Sequence, residues 1–121
     1  MTKILLVDDE AGIRQLLRMT LEMDGYEVLE AADGPEALDI FEKQLPEIAL
    51  VDVKLPGMSG IEVLDRIRKI NPDVEVIVIT GHGDMEMAIE CLRREASNFL
   101  VKPVSDELIS LSIERALEKL N

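Results

Sequence analysis

Residues 48–60 read IALVDVKLPGMSG. The first four residues form an apolar run of the kind that fills the interior of a parallel sheet, and the run stops at Asp52. A loop containing Pro56 and Gly57 follows, and the segment from Ser59 to Glu62 fits the capping box that begins many helices. The stretch therefore predicts a buried strand, a carboxylate at its carboxyl end, and a helix that returns along the sheet.

The rest of the chain repeats this alternation of strand and helix. Further short apolar segments predict strands at 4–7, 26–30, 74–79 and 98–101. Pro35 suits a first helical position, and Asp84 and Ser105 are suitable N-caps. Apolar residues at helical spacing predict five helices, with stripes at Ile13, Leu16, Leu17 and Leu21; Ala37, Leu38 and Phe41; Leu64 and Ile67; Met85, Ala88, Ile89 and Leu92; and Ile109, Ile113, Ala116, Leu117 and Leu120.

Five successive βα units predict an α/β fold with a parallel sheet covered by helices on both faces. The first, third and fourth strands are continuously apolar and should be central, because interior parallel strands are buried on both faces. The second strand alternates and the fifth is short, so both should be edges. The strand order 2-1-3-4-5 satisfies these conditions with right-handed crossovers, which gives a doubly wound sheet.

Composition limits the function classes. The chain has 121 residues, which we interpret as one domain, residues 1–121. Its net charge of −12 argues against direct binding to nucleic acid, which depends on Lys and Arg. Cys91 is the single cysteine, so no internal disulfide is expected. No segment resembles a signal peptide or a membrane span, so we expect a cytoplasmic protein that does not bind membranes.

Polar residues end four of the five strands on the same side of the sheet. Because the carboxyl ends of parallel strands meet at one edge, these groups should converge. Carboxylates about 5 Å apart repel by roughly 3 kcal/mol at an effective dielectric constant near 20, so several in one crevice favour a bound cation such as Mg²⁺. A carboxylate there can act as a nucleophile toward a phosphoryl group, with a hydroxyl and an ammonium holding its oxygens. The groups concerned are Asp8, Asp9 and Glu10 after the first strand, Asp52 after the third, Thr80 after the fourth and Lys102 after the fifth.

Four motifs together resemble the receiver domain of two-component response regulators, which has a flavodoxin-like fold. They are the pair Asp8-Asp9, VDVKLPGMSG around Asp52, ITGHGD at 79–84 and FLVKP at 99–103. The resemblance covers the full length of the chain. TGHGDMEMAIECL is most similar to receivers found in front of ATPase transcription activators or within kinase-linked regulators.

The resemblance implies a role for each matching residue. Asp52 would be the phosphoacceptor. Mg²⁺ would be held by Asp9, Asp52 and the backbone carbonyl of Lys54, with Asp8 assisting through water.

In the same family pattern, Thr80 and Lys102 would contact the phosphoryl oxygens. Phe99 matches the aromatic switch residue that turns inward when Thr80 moves toward the phosphoryl group. The peptide bond between Lys102 and Pro103 is a candidate for the cis form.

The implied function is that of a signalling phosphoacceptor rather than an enzyme. A sensor histidine kinase, a phosphotransfer protein or a small phosphodonor would supply the phosphoryl group, and the domain would assist its own phosphorylation and dephosphorylation. The face formed by the fourth helix, fifth strand and fifth helix would then act on an output domain or partner, or form a homodimer, and Leu108 and Leu111 are candidates for exposure there.

Some positions leave alternatives open. Glu95 stands where the family commonly has Gly, and Asn98 where it commonly has Asp, so details of the switch are open. His82 is either a gate for water near the phosphoryl group or an ordinary loop histidine. The side chain of Lys54 has the same status, and Cys91 is expected to pack as a small apolar residue.

Three other functions are compatible with parts of the pattern. A haloacid-dehalogenase-type phosphatase uses similar residues, but it places a D-x-D pair after its first strand. A flavodoxin-like electron carrier would need a phosphate-binding loop where this chain has acids. A degenerate receiver that only binds partners would not need the complete set of Asp8, Asp9, Asp52, Thr80 and Lys102. Taken singly, each acid is also compatible with a solvated strand end.

Overall fold

The computed structural model of the protein describes residues 1–120. A short 3₁₀ turn at His82–Asp84 precedes the fourth helix. The elements along the chain are β1 (Lys3–Val7), α1 (Ala11–Met23), β2 (Glu27–Ala31), α2 (Gly34–Gln44), β3 (Ile48–Asp52), α3 (Gly60–Ile70), β4 (Glu75–Thr80), α4 (Met85–Arg93), β5 (Asn98–Val101) and α5 (Asp106–Leu120).

The five strands form one parallel sheet in the order β2-β1-β3-β4-β5, which confirms the predicted order. The register pairs Val7 with Val51 and Asp52 with Ile79. The polar ends of β1, β3 and β4 therefore lie side by side. The winding direction reverses between β1 and β3, where open α/β sheets bind ligands.

Alternate residues of the central strands point to opposite faces of the sheet and fill two cores. Leu5, Val51 and Val78 belong to the core that includes Phe41 of α2 and Leu64 of α3. Their neighbours along the strands belong to the second core, which is completed by α1 and α5; its largest members are Ile4, Leu6, Leu21, Ile48, Leu50, Ile77, Ile79 and Ile109. Burial on both faces explains why β1, β3 and β4 read as continuous apolar runs.

The helix starts agree with the predictions at two positions and differ at a third. Ser59 Oγ accepts a hydrogen bond from Glu62 N at 3.3 Å, and Ser105 Oγ accepts one from Leu108 N at 3.1 Å. Asp84 occupies the N-cap position of α4, but its side chain makes no capping bond. The predicted N-cap position is correct, but the capping hydrogen bond is absent, because the 3₁₀ turn leads directly into α4 and gives Asp84 a φ of −117° and a ψ of 22° rather than extended angles.

Part of the predicted apolar stripes lies at the surface. Leu16 of α1 is 67% exposed, and Ile89 and Leu92 of α4 are also exposed. In α1 and α4, fewer apolar residues face the core than the helical spacing predicts, because other residues of these helices already cover the sheet. Leu108 and Leu111 of α5 are exposed as expected, and Cys91 is buried. No helix within residues 1–120 is long and apolar enough to cross a membrane.

Candidate functional site

Four acidic side chains converge at the carboxyl edge of the sheet. Asp8, Asp9 and Glu10 follow β1 and Asp52 ends the neighbouring β3. Each offers an oxygen that lies within 4.8 Å of the others. Asp8 and Asp52 are buried, whereas Asp9 and Glu10 are exposed. We call these four residues the acidic cluster.

The backbone fixes the two buried carboxylates in the same way. Asp8 Oδ1 accepts a hydrogen bond from Glu10 N at 2.9 Å, and Asp52 Oδ1 accepts one from Lys54 N at 3.0 Å. In both turns an Asp side chain bonds the backbone two residues later, which is a common local conformation of Asp. One oxygen of each carboxylate is thereby occupied, and the Oδ2 atoms of both face Lys102.

Lys102 brings a positive charge into the acidic cluster from β5. Its Nζ lies 2.8 Å from Asp52 Oδ2, 3.0 Å from Glu10 Oε1 and 3.1 Å from Asp8 Oδ2. Its backbone N donates to Thr80 O at 2.8 Å, which holds the residue beside β4. Burial alone would lower the pKa of Lys102, but the hydrogen bonds to Asp52 and Glu10 outweigh burial and raise it. Lys102 is therefore an ammonium at neutral pH.

The surroundings of Asp8 disfavour its charged form. Burial raises the pKa of Asp8 and the Asp52 charge adds to this, although the Glu10 N–H and Lys102 act in the opposite direction. Asp8 Oδ2 is close to Lys102 but the pair is not aligned as a hydrogen bond, so this buried oxygen has no hydrogen-bond donor. A buried carboxylate oxygen that accepts no hydrogen bond, in a cluster of four carboxylates, suits a hard divalent cation. The residues present fit Mg²⁺.

Arg14 is a residue of this region that the sequence reasoning missed. Its guanidinium donates to the carbonyl oxygen of Asp8 at 2.5 Å and to Glu30 Oε1 on β2 at 3.4 Å. Arg18, one turn later, pairs with the same Glu30 and with Glu22. The available signal was a basic residue one helical turn after an acidic triplet, which places its charge beside the start of α1.

A cavity of about 430 Å³ opens above Asp52. Its lining includes Asp9, Glu10, Lys54, Asp84 and Lys102. The cavity is open to solvent, and Asp52 is among the residues that line it. Asp84 thus lies at the site and also at the N-cap position of α4.

Thr80, Phe99 and His82 are not among the residues that line this cavity. Thr80 is fully buried, and its hydroxyl donates to Gly81 O at 3.1 Å. Phe99 of β5 is half-buried and packs against the core on the α4 side. His82 lines a neighbouring apolar cleft of about 360 Å³, which shares Gly81 and Lys102 with the cavity above Asp52. The peptide bond before Pro103 is cis, as expected.

Comparisons with known proteins agree with this geometry. A family model described as the response regulator receiver domain matches residues 4–114. Sporulation initiation phosphotransferase F of Bacillus subtilis (strain 168) is 39% identical over 115 residues, which cover 95% of this chain and 93% of that protein. The C4-dicarboxylate transport transcriptional regulatory protein DctD of Pseudomonas aeruginosa is 37% identical over 97% of this chain, but the match covers only 25% of DctD.

Solved structures show the same fold. A receiver domain protein from Clostridium thermocellum superposes with a TM-score of 0.94 at 39% identity, covering 98% of this chain and 96% of that one. NtrX from Brucella abortus, solved with ADP, also gives 0.94 at 37% identity, covering 99% of this chain and 28% of NtrX. The flavodoxin-like fold is confirmed. The chain belongs to the response regulator receiver domain family and is a receiver domain of a two-component response regulator.

Proposed function

We propose that residues 1–121 act as one phosphoacceptor domain in which Asp52 takes a phosphoryl group from a histidine kinase, a phosphotransfer protein or a small phosphodonor. The observation that carries this proposal is the buried Asp52 carboxylate, which faces an open cavity and lies 2.8 Å from an ammonium. A carboxylate beside a cation at a sheet switch point is placed to attack phosphorus.

In the proposed step a carboxylate oxygen of Asp52 forms a bond to phosphorus while the bond from phosphorus to the donor nitrogen or oxygen breaks. The electron pair of the broken bond leaves with the donor, and the product is an acyl phosphate. Lys102 offsets the charge on the transferring oxygens, as lysines do in phosphoryl transfer. The Thr80 hydroxyl would exchange its bond to Gly81 O for a phosphoryl oxygen.

We propose that the acidic cluster holds Mg²⁺ through Asp9, Asp52 and the Lys54 carbonyl, with Asp8 assisting. When bound, the cation would neutralise negative charge as the phosphoryl group approaches. Asp8 Oδ2, which is buried and accepts no hydrogen bond, supports this assignment.

The output would act through the face formed by α4, β5 and α5. A phosphoryl group shifts a two-state equilibrium only if it interacts better with one state. Thr80 and Phe99 are the proposed link, because they lie on the neighbouring strands β4 and β5. The exposed Leu108 and Leu111 support binding of an output domain, a partner or a second copy at this face. A cytoplasmic location, where such kinases deliver the phosphoryl group, remains a prediction.

The decisive test is intact mass after incubation with acetyl phosphate and Mg²⁺. We expect the mass of one phosphoryl group to be gained by the wild type, lost after chelation of Mg²⁺ and absent in Asp52→Asn. The matched control is Asp73→Asn, which makes the same change at the opposite edge of the sheet and should be phosphorylated like the wild type. No gain in the wild type, or an undiminished gain in Asp52→Asn, would refute the proposal.

A further inference from the structure

The three carboxylates around Lys102 differ sharply in accessibility. The side chain of Asp8 is fully buried and that of Asp52 is 6% exposed, whereas the side chain of Glu10 is 58% exposed. The backbone of Glu10 is fixed, because its N–H donates to Asp8 and its carbonyl oxygen accepts from Arg14 N. Only the far end of the Glu10 side chain is free to move.

A phosphoryl group on Asp52 needs a hydrogen bond from Lys102. Lys102 Nζ already donates to Asp52 at 2.8 Å and to Glu10 at 3.0 Å, whereas Asp8 Oδ2 lies 3.1 Å away in an ion pair that is not aligned as a hydrogen bond. A phosphoryl oxygen that approaches the ammonium competes with these two hydrogen-bonded carboxylates. Asp52 carries the phosphoryl group itself. The exposed Glu10 carboxylate can leave Lys102 and be hydrated by water instead, with little loss of free energy.

We propose that Glu10 is a positioning residue that competes with the incoming phosphoryl group for Lys102, so that it slows phosphoryl uptake. This inference rests on the proposed phosphorylation of Asp52. Glu10 holds the ammonium at the mouth of the cavity until a phosphoryl oxygen replaces the carboxylate. Removing the carboxylate leaves Lys102 bound to Asp52, and the donor that Glu10 occupied is then free.

The chain offers a matched control in Asp84. Asp84 lines the same cavity. In the part of the chain that the structure describes, it makes no hydrogen bond or ion pair with Lys102. It also makes no capping bond, so its removal costs no helix cap. Glu10→Ala and Asp84→Ala each remove one negative charge near an anionic phosphodonor. Any difference between them measures the contact with Lys102 rather than charge alone.

The experiment measures phosphorylation by acetyl phosphate at saturating Mg²⁺, with the maximal rate and the KM determined separately for the wild type and both variants. We expect both variants to lower the KM through charge. Glu10→Ala should in addition raise the maximal rate about two- to fivefold over Asp84→Ala, which is the range for loss of an exposed ion pair. It should also bind beryllium trifluoride, a phosphoryl mimic, two- to fivefold more tightly by fluorine NMR.

Equal maximal rates and mimic affinities in the two variants, or a slower Glu10→Ala, would overturn the role of Glu10 while leaving phosphorylation of Asp52 intact. A wild type that gains no phosphoryl group would overturn both proposals together. At saturating Mg²⁺, any effect of Glu10 on Mg²⁺ affinity no longer influences the measured rate. The Mg²⁺ affinity of each variant is measured separately by calorimetry.

Discussion

Gly60 at the start of α3 lies directly against the backbone of Asp52. A Cβ atom at position 60 would lie 2.5 Å from the Asp52 carbonyl oxygen and 2.6 Å from Val53 Cα. Gly60 N also donates to Val53 O at 3.0 Å. Because Gly60 has no side chain, α3 can begin close to the end of β3. The loop between β3 and α3, which carries Lys54, is therefore held at both of its ends.

Gly60→Ala should lower the free energy of unfolding by about 1–3 kcal/mol, because the added methyl meets backbone atoms that cannot move aside. Urea denaturation measures this. Gly12→Ala is the control, since a Cβ there meets nothing within 4 Å, and helix propensity predicts a gain of up to about 1 kcal/mol. Equal stability of Gly60→Ala and wild type would contradict the close approach.

Asp8→Asn should stabilise the protein at neutral pH in the absence of Mg²⁺. The pKa of Asp8 is raised on folding, chiefly by burial. The folded state therefore favours the protonated form of Asp8. The stability that this proton contributes is present below the ordinary pKa of 3.8, and it is lost as the pH rises through the pKa of Asp8 in the folded state.

Mg²⁺ should reverse this comparison, because a ligand stabilises the state that binds it. Urea denaturation with and without Mg²⁺ should show a larger stabilisation by Mg²⁺ in the wild type than in Asp8→Asn. Asp73→Asn, far from the acidic cluster, should behave like the wild type under both conditions. A variant less stable than the wild type without Mg²⁺ would show that the carboxylate is not under electrostatic strain.

Arg14→Gln should weaken Mg²⁺ binding about tenfold, the lower end of the effect of removing groups that orient metal ligands. The guanidinium anchors the Asp8 carbonyl and so positions the acidic loop. Titration calorimetry with Mg²⁺ gives the affinity. Arg18→Gln removes a partner of the same Glu30 without touching the loop, so it should leave the affinity within twofold. Equal loss in both variants would assign the effect to the Glu30 pairing instead.

Glu95→Gly should raise the free energy of unfolding by about 1 kcal/mol. Glu95 has a φ of 69°, which costs most residues about 1–2 kcal/mol and costs Gly nothing. Arg68 donates to its carbonyl oxygen at 2.6 Å, and this bond does not depend on the side chain. Thermal or urea unfolding measures the change. Glu42→Gly, inside α2, should lose about 1 kcal/mol, and a loss in both variants would contradict the conformation at Glu95.

Cys91 should make stability fall at high pH. Burial raises the pKa of its thiol from 9.0 to about 11. The folded state therefore holds the thiol proton more tightly, and the stabilisation is complete below about pH 9 and lost as the pH rises toward about 11. Unfolding free energies measured from pH 8 to 11 should fall about 2 kcal/mol further in the wild type than in Cys91→Ala. Parallel curves would mean that the thiol is not shielded.

The sequence by itself determined the sheet order and the edge at which chemistry collects. Continuous apolar runs mark strands buried on both faces, and parallel strands bring their carboxyl ends together. Asp8 and Asp52 were therefore predictable as neighbours before any distance was known. The receiver family also followed from local motifs, because the turns that present these residues are short and local.

Only the tertiary structure decided which long side chains meet. Lys102 reaches Glu10 as well as Asp52, Arg14 holds the Asp8 carbonyl, and His82 lines the apolar cleft next to the Asp52 cavity. These arrangements join segments far apart in the chain, and a flexible side chain adopts the conformation that its distant partners stabilise. Periodicity also overestimated the buried face of α1. Leu16 has the helical spacing of a core residue, but no other element covers it. Backbone pattern is a local property, whereas contact between side chains depends on the packing of the whole fold.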